Sequence, residues 1–285
     1  MCGICGFILP QNNKVSNNWK KNILRQMLMN SSNRGTDACG IAYVNENNEI
    51  SWWKTPDKPI DFVYSDLFNE ATKNLPNIVM AHNRAASKQM GDPKDNVNNH
   101  PVIAEETGIA LIHNGLIKNN EEWRTTVGKP KGIKNEFEGE VDTEVLLRVL
   151  ETFWLERDEA HQSFESNIVD MCYNVEGSYT AAILLAEQPN KIWFVRNSSP
   201  LHFAYSPKEN IILFASTSDI ITESLAEEKT YLDFFHETKK PTKWIVNTTL
   251  DDYMFAFESM EDTFGIFSRK VPIGGARKKI HTVSK

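Results

Sequence analysis

The second residue of the chain is a cysteine that directly follows Met1, within residues 1–7 (MCGICGF). If Met1 is removed, Cys2 carries both a thiol and a free α-amine. A thiol titrates near pH ~8.5 and an α-amine near ~7.7–8.0, so the amine can take the thiol proton and later deliver it to a leaving amine. Because the thiolate is the attacking species, this arrangement predicts nucleophilic attack on an amide.

Two other interpretations of Cys2 stay open at this point. A cysteine near the start of a chain can be there by accident, without a chemical role. Cys2 and Cys5 also form a C-x-x-C pair, which is typical of metal sites. Structural zinc needs about four ligands, whereas Cys39 and Cys172 each stand alone. We therefore predict no metal and no cofactor.

Two arginine-containing segments come next along the chain. Residues 34–40 (RGTDACG) place Arg34 and a glycine at a turn, where guanidinium and backbone groups can reach a nearby terminus. Residues 81–87 (AHNRAAS) place Arg84 just past an apolar strand, where a bidentate guanidinium can bind a carboxylate. Taken alone, either arginine is equally well explained as a surface or ion-pairing residue.

Two further segments carry amide and acidic groups. In residues 111–117 (LIHNGLI), the Asn114 side chain and the Gly115 backbone N–H lie at a predicted strand end and can form an oxyanion hole. Asn-Gly is also a common hairpin turn. Asp142 begins a predicted helix, where an acidic residue can simply cap the helix and contribute about 1 kcal/mol.

Taken together and in this order, the segments resemble the class II glutamine amidotransferases, which are N-terminal-nucleophile (Ntn) hydrolases. The resemblance covers roughly residues 2–220. The segments that carry it are residues 2–6 (CGICG), 34–40 (RGTDACG), 81–84 (AHNR), 99–101 (NHP), 113–115 (HNG), 142–144 (DTE), 177–179 (GSY), 196–201 (RNSSPL) and 215–216 (AS).

The resemblance implies a role for each candidate residue. Cys2 would attack the side-chain amide of glutamine and form a glutamyl thioester, while its own α-amine moves the proton. Asn114 and Gly115 would stabilise the tetrahedral oxyanion. Arg84 would bind the α-carboxylate of the substrate and Asp142 its α-ammonium. This assignment implies glutamate and ammonia as products, with L-glutamine as the substrate.

The resemblance also assigns Arg34 to the substrate site, as the residue that positions the nucleophile.

The segment after Arg84 departs from one branch of the family. Sugar-phosphate amidotransferases of this class carry Arg-Trp-Ala-Thr-His, whereas this chain has Arg-Ala-Ala-Ser-Lys at residues 84–88. Ser87 keeps a hydroxyl like that of threonine and is assigned to the substrate site. Because Ala85 replaces the Trp and Lys88 replaces the His, we expect closure of the site to differ from that in the sugar-phosphate amidotransferases.

Apolar spacing predicts both helices and strands along the whole chain. The strands cluster towards both ends without βαβ alternation, which indicates an α+β class with mostly antiparallel sheets. The resemblance implies a four-layer α-β-β-α sandwich of two such sheets. The predicted helices are residues 18–30, 61–74, a helix from 142 and 167–174, and the predicted strands are 3–9, 40–44, 50–54, 78–82, 108–112, 179–186, 191–196, 202–206, 211–216, 253–257 and 264–270.

Composition restricts the partners and the compartment. The chain of 285 residues has 31 basic and 38 acidic residues, a net charge of −7. This balance argues against general binding to nucleic acid or to anionic membranes. There is no apolar run of about 18 residues, and there is no secretory signal. Four scattered cysteines do not form a disulfide framework, so we expect a cytoplasmic protein with reduced thiols.

We predict one glutaminase domain over residues 2–270 and a basic C-terminal tail over residues 271–285. No second active-site motif is recognisable. The leading interpretation is a glutaminase subunit that passes ammonia to a separate synthase or synthetase, with a sugar, a nucleobase or an activated carboxylate as acceptor. Two alternatives remain: an N-terminal-cysteine amidase acting on another amide or a γ-glutamyl compound, and a non-catalytic regulatory homologue.

Overall fold

Two antiparallel β-sheets stacked face to face form the centre of the protein. The computed structural model describes residues 2–87, 90–126, 137–157, 163–232, 245–248 and 252–271. In chain order the strands are β1 (Gly3–Ile8), β2 (Ala38–Val44), β3 (Ile50–Thr55), β4 (Ile78–Arg84), β5 (Val102–Ala104), β6 (Ile109–Ile117), β7 (Gly177–Leu185), β8 (Lys191–Asn197), β9 (His202–Ser206), β10 (Ile211–Ala215), β11 (Ile245–Thr248), β12 (Tyr253–Ser259) and β13 (Phe264–Lys270).

The first sheet has seven strands in the order β11-β9-β10-β1-β4-β2-β3, and the second has six in the order β13-β12-β8-β7-β6-β5. Helices cover the outer faces. They are α1 (Asn17–Asn30), α2 (Pro59–Phe62), α3 (Asp66–Ala71), α4 (Asn120–Thr126), α5 (Asp142–Leu155), α6 (Phe164–Asn174) and α7 (Ser218–Leu232). No helix in the described part of the chain is long and apolar enough to cross a membrane.

Three apolar cores hold the layers together. The first lies between the seven-stranded sheet and α1, and the second between the six-stranded sheet and the pair α5 and α6. The third fills the space between the two sheets. Along β1 the residues alternate between cores, because Cys5 and Phe7 face the helices whereas Ile4 and Ile8 face the other sheet. The layer order is therefore α-β-β-α, and the predicted α+β sandwich is confirmed.

Most predicted elements agree with the structure. The helical spacing over 18–30 corresponds to α1, the helix from Asp142 to α5, and the weaker pattern over 167–174 to α6. The predicted strands are all present, although several are longer than expected. The domain limits at residues 2–270 remain a prediction. All but the first residue of the proposed tail lies outside the described residues.

One predicted helix is wrong in its extent. Residues 61–74 do not form a single helix, because the chain breaks between α2 and α3. Ser65 stands at the break, where its hydroxyl accepts a hydrogen bond from the Phe68 N–H at 3.1 Å. A serine that caps a helix competes with continuation of the preceding helix. Apolar spacing alone did not reveal this competition.

Ser65→Ala should therefore lower the free energy of unfolding by about 1 kcal/mol, the usual cost of losing a helix cap. Ser65→Asp should keep most of that stability, because a carboxylate caps the same N–H. Urea unfolding followed by circular dichroism measures both values. Equal stability of the alanine variant and the wild type would contradict the capping role.

Candidate active site

A cavity of about 450 Å³ opens at one end of the sandwich, where the two sheets meet. All seven residues predicted from the sequence to form the site line this cavity. They come from β1, β4, β6, α5 and the loops beside them, and they are Cys2, Arg34, Arg84, Ser87, Asn114, Gly115 and Asp142. Segments far apart in the chain thus meet around the N-terminal cysteine.

Cys2 lies immediately before β1, and hydrogen bonds from Arg34 and Ala85 hold it in place. The Arg34 Nε donates to the Cys2 carbonyl oxygen at 2.8 Å, and the Cys2 Sγ accepts from the Ala85 N–H at 3.3 Å. Burial raises the pKa of the Cys2 thiol, while the Ala85 hydrogen bond and the charge of Arg84 lower it. Arg34 is half-buried and bound to the cysteine backbone, as predicted from its position at a turn.

Cys5 cannot act together with Cys2 as a metal ligand. Its side chain is buried on the opposite face of β1, in the core beneath α1. Burial there raises the pKa of Cys5 to about 12, and such a protonated thiol is a poor ligand. All four cysteines are free. No cluster of three or more possible metal ligands occurs among the described residues.

Asn114 and Gly115 lie within strand β6 and not in a hairpin turn. They pair with Thr180 and Tyr179 of β7. Gly115 has a φ of +140°, and a Cβ at this position would lie 2.0 Å from the Ser178 carbonyl oxygen. Only glycine fits such a backbone. The hairpin interpretation of Asn-Gly is therefore wrong, and so is the expectation that the strand ends before Asn114.

Ser216 holds the side chain of Asn114. The Asn114 Nδ2 donates to the Ser216 Oγ at 2.7 Å, and the same oxygen accepts from the Ile4 N–H at 2.8 Å. One fully buried hydroxyl thus links the candidate oxyanion donor to the strand that follows Cys2. An amide nitrogen has two N–H groups, so one remains for a ligand. The sequence singled out Ser216 only through the family resemblance, without a role.

Arg84 is the last residue of β4 and is only 2% exposed. Its guanidinium donates to the Asn99 Oδ1 and the Gly91 carbonyl oxygen, each at 2.9 Å, and to the carbonyl oxygen of Met90. A guanidinium has five N–H groups, so the Nε–H and one N–H of Nη1 are not used by these contacts. Burial lowers the pKa of Arg84, while neighbouring acidic groups raise it. Arg84 is not a surface arginine.

Asp142 is the first residue of α5, but its carboxylate does not cap that helix. The cap position is Val141, and α5 has no side-chain cap hydrogen bond. The Asp142 Oδ2 instead accepts from the Ile117 N–H at 2.9 Å, at the end of β6. The capping interpretation is therefore wrong. The buried carboxylate joins α5 to the strand that carries Asn114, and the positive end of the helix dipole stabilises its charge.

Sequence comparison identifies a matching family profile and several named relatives. A family profile described as "Glutamine amidotransferase domain" matches residues 82–223. The glutamine–fructose-6-phosphate aminotransferase (isomerizing) of Clostridium acetobutylicum is 32% identical over 218 residues, which are 74% of this chain and 31% of that protein. The protein of the same name from Pyrobaculum aerophilum is 30% identical over 223 residues, 78% of this chain and 33% of that protein. The chain belongs to the class II glutamine amidotransferases.

Solved structures share the amidotransferase fold. Glutamine phosphoribosylpyrophosphate amidotransferase from B. subtilis, complexed with ADP and GMP, superposes with a TM-score of 0.65 at 16% identity, over 94% of this chain and 49% of that chain. A glutamine aminotransferase class-II domain protein from Silicibacter pomeroyi gives 0.53 at 11% identity, over 95% of this chain and 99% of that chain. The Ntn-hydrolase architecture expected from the resemblance is confirmed.

Ser87 lies at the rim of the amidotransferase cavity, where its side chain is exposed. Its carbonyl oxygen accepts from the Met90 N–H at 3.1 Å. Lys88, which stands where some members of the family carry histidine, lies outside the described residues. Ala85 contributes its backbone to Cys2 but no large side chain. The replacement of tryptophan by alanine thus leaves one wall of the cavity without an aromatic ring.

Three buried histidines form a network behind the amidotransferase site. The rings of His82 and His100 stack with their centroids 4.0 Å apart. The Thr143 hydroxyl lies 2.6 Å from the His100 Nε2 and 3.0 Å from the His113 Nδ1. The His82 Nε2 donates to the carbonyl oxygen of His113 at 3.0 Å. This network ties together four of the segments that carry the family resemblance, a connection that the linear sequence does not reveal.

Burial keeps all three imidazoles neutral. It lowers the pKa of His82 to about 3 and also lowers those of His100 and His113. The unfolded chain therefore binds more protons than the folded amidotransferase once the pH falls below the ordinary histidine pKa of about 6.5. The stability that neutral burial provides is present above that pH and is lost as the pH falls towards the folded-state values.

The free energy of unfolding should therefore decrease as the pH falls from 7 to 5, with a slope that approaches about 1.4 kcal/mol per pH unit for each histidine. Most carboxylates stay ionised over this range, so histidines dominate the change. Urea unfolding at closely spaced pH values measures the slope. A free energy that stays constant from pH 7 to 5 would show that the imidazoles are not neutral in the folded protein.

Proposed function

We propose that this chain hydrolyses the side-chain amide of L-glutamine to glutamate and ammonia through a thioester at Cys2. The observation that supports this proposal is the single cavity around Cys2. Its wall combines a thiol, an amide and a backbone N–H suited to an oxyanion, and two buried charges of opposite sign. An α-amino acid with a side-chain amide complements all of these groups.

Removal of Met1 precedes catalysis and frees the α-amine of Cys2. That amine takes the thiol proton, and the Sγ attacks the amide carbon of the substrate. The second N–H of the Asn114 amide and the Gly115 N–H stabilise the tetrahedral oxyanion. The protonated amine then delivers its proton to the leaving nitrogen, and ammonia departs as the thioester forms. Water, activated by the same amine, hydrolyses the thioester to glutamate and regenerates the thiol.

Arg84 and Asp142 provide selection for an α-amino acid. The guanidinium binds the α-carboxylate and the carboxylate binds the α-ammonium, each with capacity left beyond its contacts to the protein. A substrate that lacks either charge leaves a buried ionic group without its ligand, which is costly. The two buried charges therefore favour glutamine over a simple amide.

The ammonia is proposed to reach an acceptor held by a separate synthase or synthetase. Relatives of the chain are named glutamine–fructose-6-phosphate aminotransferase, and a protein of the same fold is named glutamine phosphoribosylpyrophosphate amidotransferase. The chain spans about a third of the length of the curated relatives it matches. We propose that the acceptor enzyme is a partner of this domain, in the cytoplasm, where thiols such as those of the four free cysteines remain reduced.

Purified protein with glutamine should release ammonia and glutamate in equal amounts, and Cys2→Ala should reduce the rate by about 10³-fold or more. Cys39→Ala is the matched control, because this buried cysteine lies outside the cavity and its loss should leave turnover unchanged. N-terminal mass analysis should show that active protein begins at Cys2. Retention of Met1 on fully active protein would contradict the proton transfer through the α-amine.

Other outcomes of this assay distinguish the alternatives. Faster hydrolysis of a γ-glutamyl compound than of glutamine would indicate an amidase of different specificity. No hydrolysis of any amide by protein that begins at Cys2, with candidate acceptor enzymes present, would indicate a non-catalytic homologue. Either outcome would refute the proposed function.

Arg84→Ala should raise the KM for glutamine by about 10- to 100-fold, because hydrogen bonds to a charged group contribute about 1.5–3 kcal/mol. Arg84→Lys should give an intermediate value, since the charge stays but the bidentate geometry is lost. Arg25→Ala serves as the control and should leave the KM unchanged, because Arg25 does not line the cavity and its Nε donates to the Val63 carbonyl oxygen at 3.3 Å. An unaltered KM in Arg84→Ala would mean that another group binds the α-carboxylate.

A further inference from the structure

Lys54 is a partly buried lysine on β3, the edge strand of the seven-stranded sheet. Its Nζ donates to the Asn99 carbonyl oxygen at 3.0 Å and to the Pro101 carbonyl oxygen at 3.2 Å. The Lys54 carbonyl oxygen in turn accepts from the Asn96 Nδ2 at 2.8 Å. A single residue of the sheet thus holds both ends of the segment 96–101.

The same segment supplies one of the three hydrogen-bond acceptors of Arg84, and the other two are the carbonyl oxygens of Met90 and Gly91. The Asn99 Oδ1 accepts from the Arg84 Nη1 at 2.9 Å. The Asn99 Nδ2 donates to the Pro93 carbonyl oxygen at 2.7 Å, which ties the side chain to the preceding turn. The next residue, His100, stacks on His82 and lines the cavity of Cys2. Any displacement of the Asn99 backbone therefore moves the one side-chain acceptor among the three groups that orient the guanidinium.

Lys54 itself does not reach the cavity of Cys2. It lines a separate cavity of about 610 Å³ together with Trp52, Glu138, Glu144 and Arg148. The two cavities share a wall, because Asp142 and Thr143 at the start of α5 line the first while Glu144 lines the second. The hydrogen bonds of Lys54 connect it to the cavity of Cys2 through the segment 96–101.

The placement of Lys54 has an energetic cost, which its hydrogen bonds offset. Burial lowers the pKa of Lys54 to about 8, while the charges of Glu138, Glu144 and Asp95 raise it. A partly desolvated ammonium is stable only where acceptors surround it. Here two backbone carbonyls, together with the face of the Trp52 ring at 5.5 Å, take that role. Removing the ammonium leaves two carbonyls without a donor and releases the segment.

We propose that Lys54 is a positioning residue that fixes Asn99 and, through it, the guanidinium of Arg84, and so sets the affinity of the site for the carboxylate of an amino acid. This inference rests on the proposed function for its kinetic consequence. Its structural part, the immobilisation of residues 96–101, can be measured independently of activity.

The experiment compares Lys54→Met with Lys20→Met. Lys20 is a matched control because it is a buried lysine whose Nζ donates to the Leu75 carbonyl oxygen and the Asn77 Oδ1, each at 3.1 Å, on α1 away from the cavity. Both substitutions remove a desolvated ammonium and should lower stability to a similar extent. Only Lys54→Met should change the site.

Lys54→Met should raise the KM for glutamine by about tenfold, with kcat within about twofold of the wild type, because ground-state binding is weakened while the reacting groups stay in place. Lys54→Arg should recover most of the affinity. Amide hydrogen exchange across residues 90–101 should be about tenfold faster in Lys54→Met and unchanged in Lys20→Met.

Unchanged exchange across residues 90–101 in Lys54→Met would overturn the inference, as would an equal rise of KM in the Lys20→Met control. Faster exchange with an unaltered KM would show that Lys54 holds the segment without setting affinity, which also overturns it. If wild-type protein shows no glutaminase activity, the proposed function fails. Binding of glutamate, measured by calorimetry, then replaces the KM, and a tenfold weaker binding in Lys54→Met supports the inference.

Discussion

The structure depends on the position of β1 in the middle of the seven-stranded sheet. This strand is hydrogen-bonded along both edges, to β10 on one side and to β4 on the other. Cys2 directly precedes it, so the sheet ladder fixes the nucleophile with the rigidity of a central strand. The neighbours of β1 end beside the cysteine, and they carry Arg84 at the end of β4 and Ser216 after β10. Strand pairing therefore determines which side chains surround the thiol.

The second sheet completes the site from the opposite side. β6 contributes Asn114 and Gly115, and the start of α5 contributes Asp142, which is hydrogen-bonded to the end of that strand. The apolar core between the sheets sets their separation. Contacts across this gap, such as that of Asn114 with Ser216, hold the halves of the site together. Packing between the layers and the geometry of the site thus depend on the same contacts.

The sequence predicted the secondary-structure elements and the residues of the site better than it predicted the contacts between those residues. The apolar spacing of α1 located a helix correctly, and every one of the seven residues that the short motifs assigned to the site is among those that line the cavity. Apolar spacing missed the break at Ser65, because capping is a local competition that periodicity does not contain. The roles of Ser216 and Asn99 could not be predicted, because each depends on tertiary pairing. Ser216 lies 102 residues from its partner.

The backbone where β6 pairs with β7 limits which residues around this site can change. Gly115 and Gly177 both have positive φ, and a Cβ at either position would lie 2.0 or 2.1 Å from a carbonyl oxygen of the facing strand. No side chain can be added there without moving two strands, so this wall is closed to variation. Other parts of the cavity lining are loop residues 85–87, 90 and 199–200. These loops are free of that constraint, so we expect adaptation to another amide or another partner to proceed through them, while the backbone at Gly115 and Gly177 tolerates glycine alone.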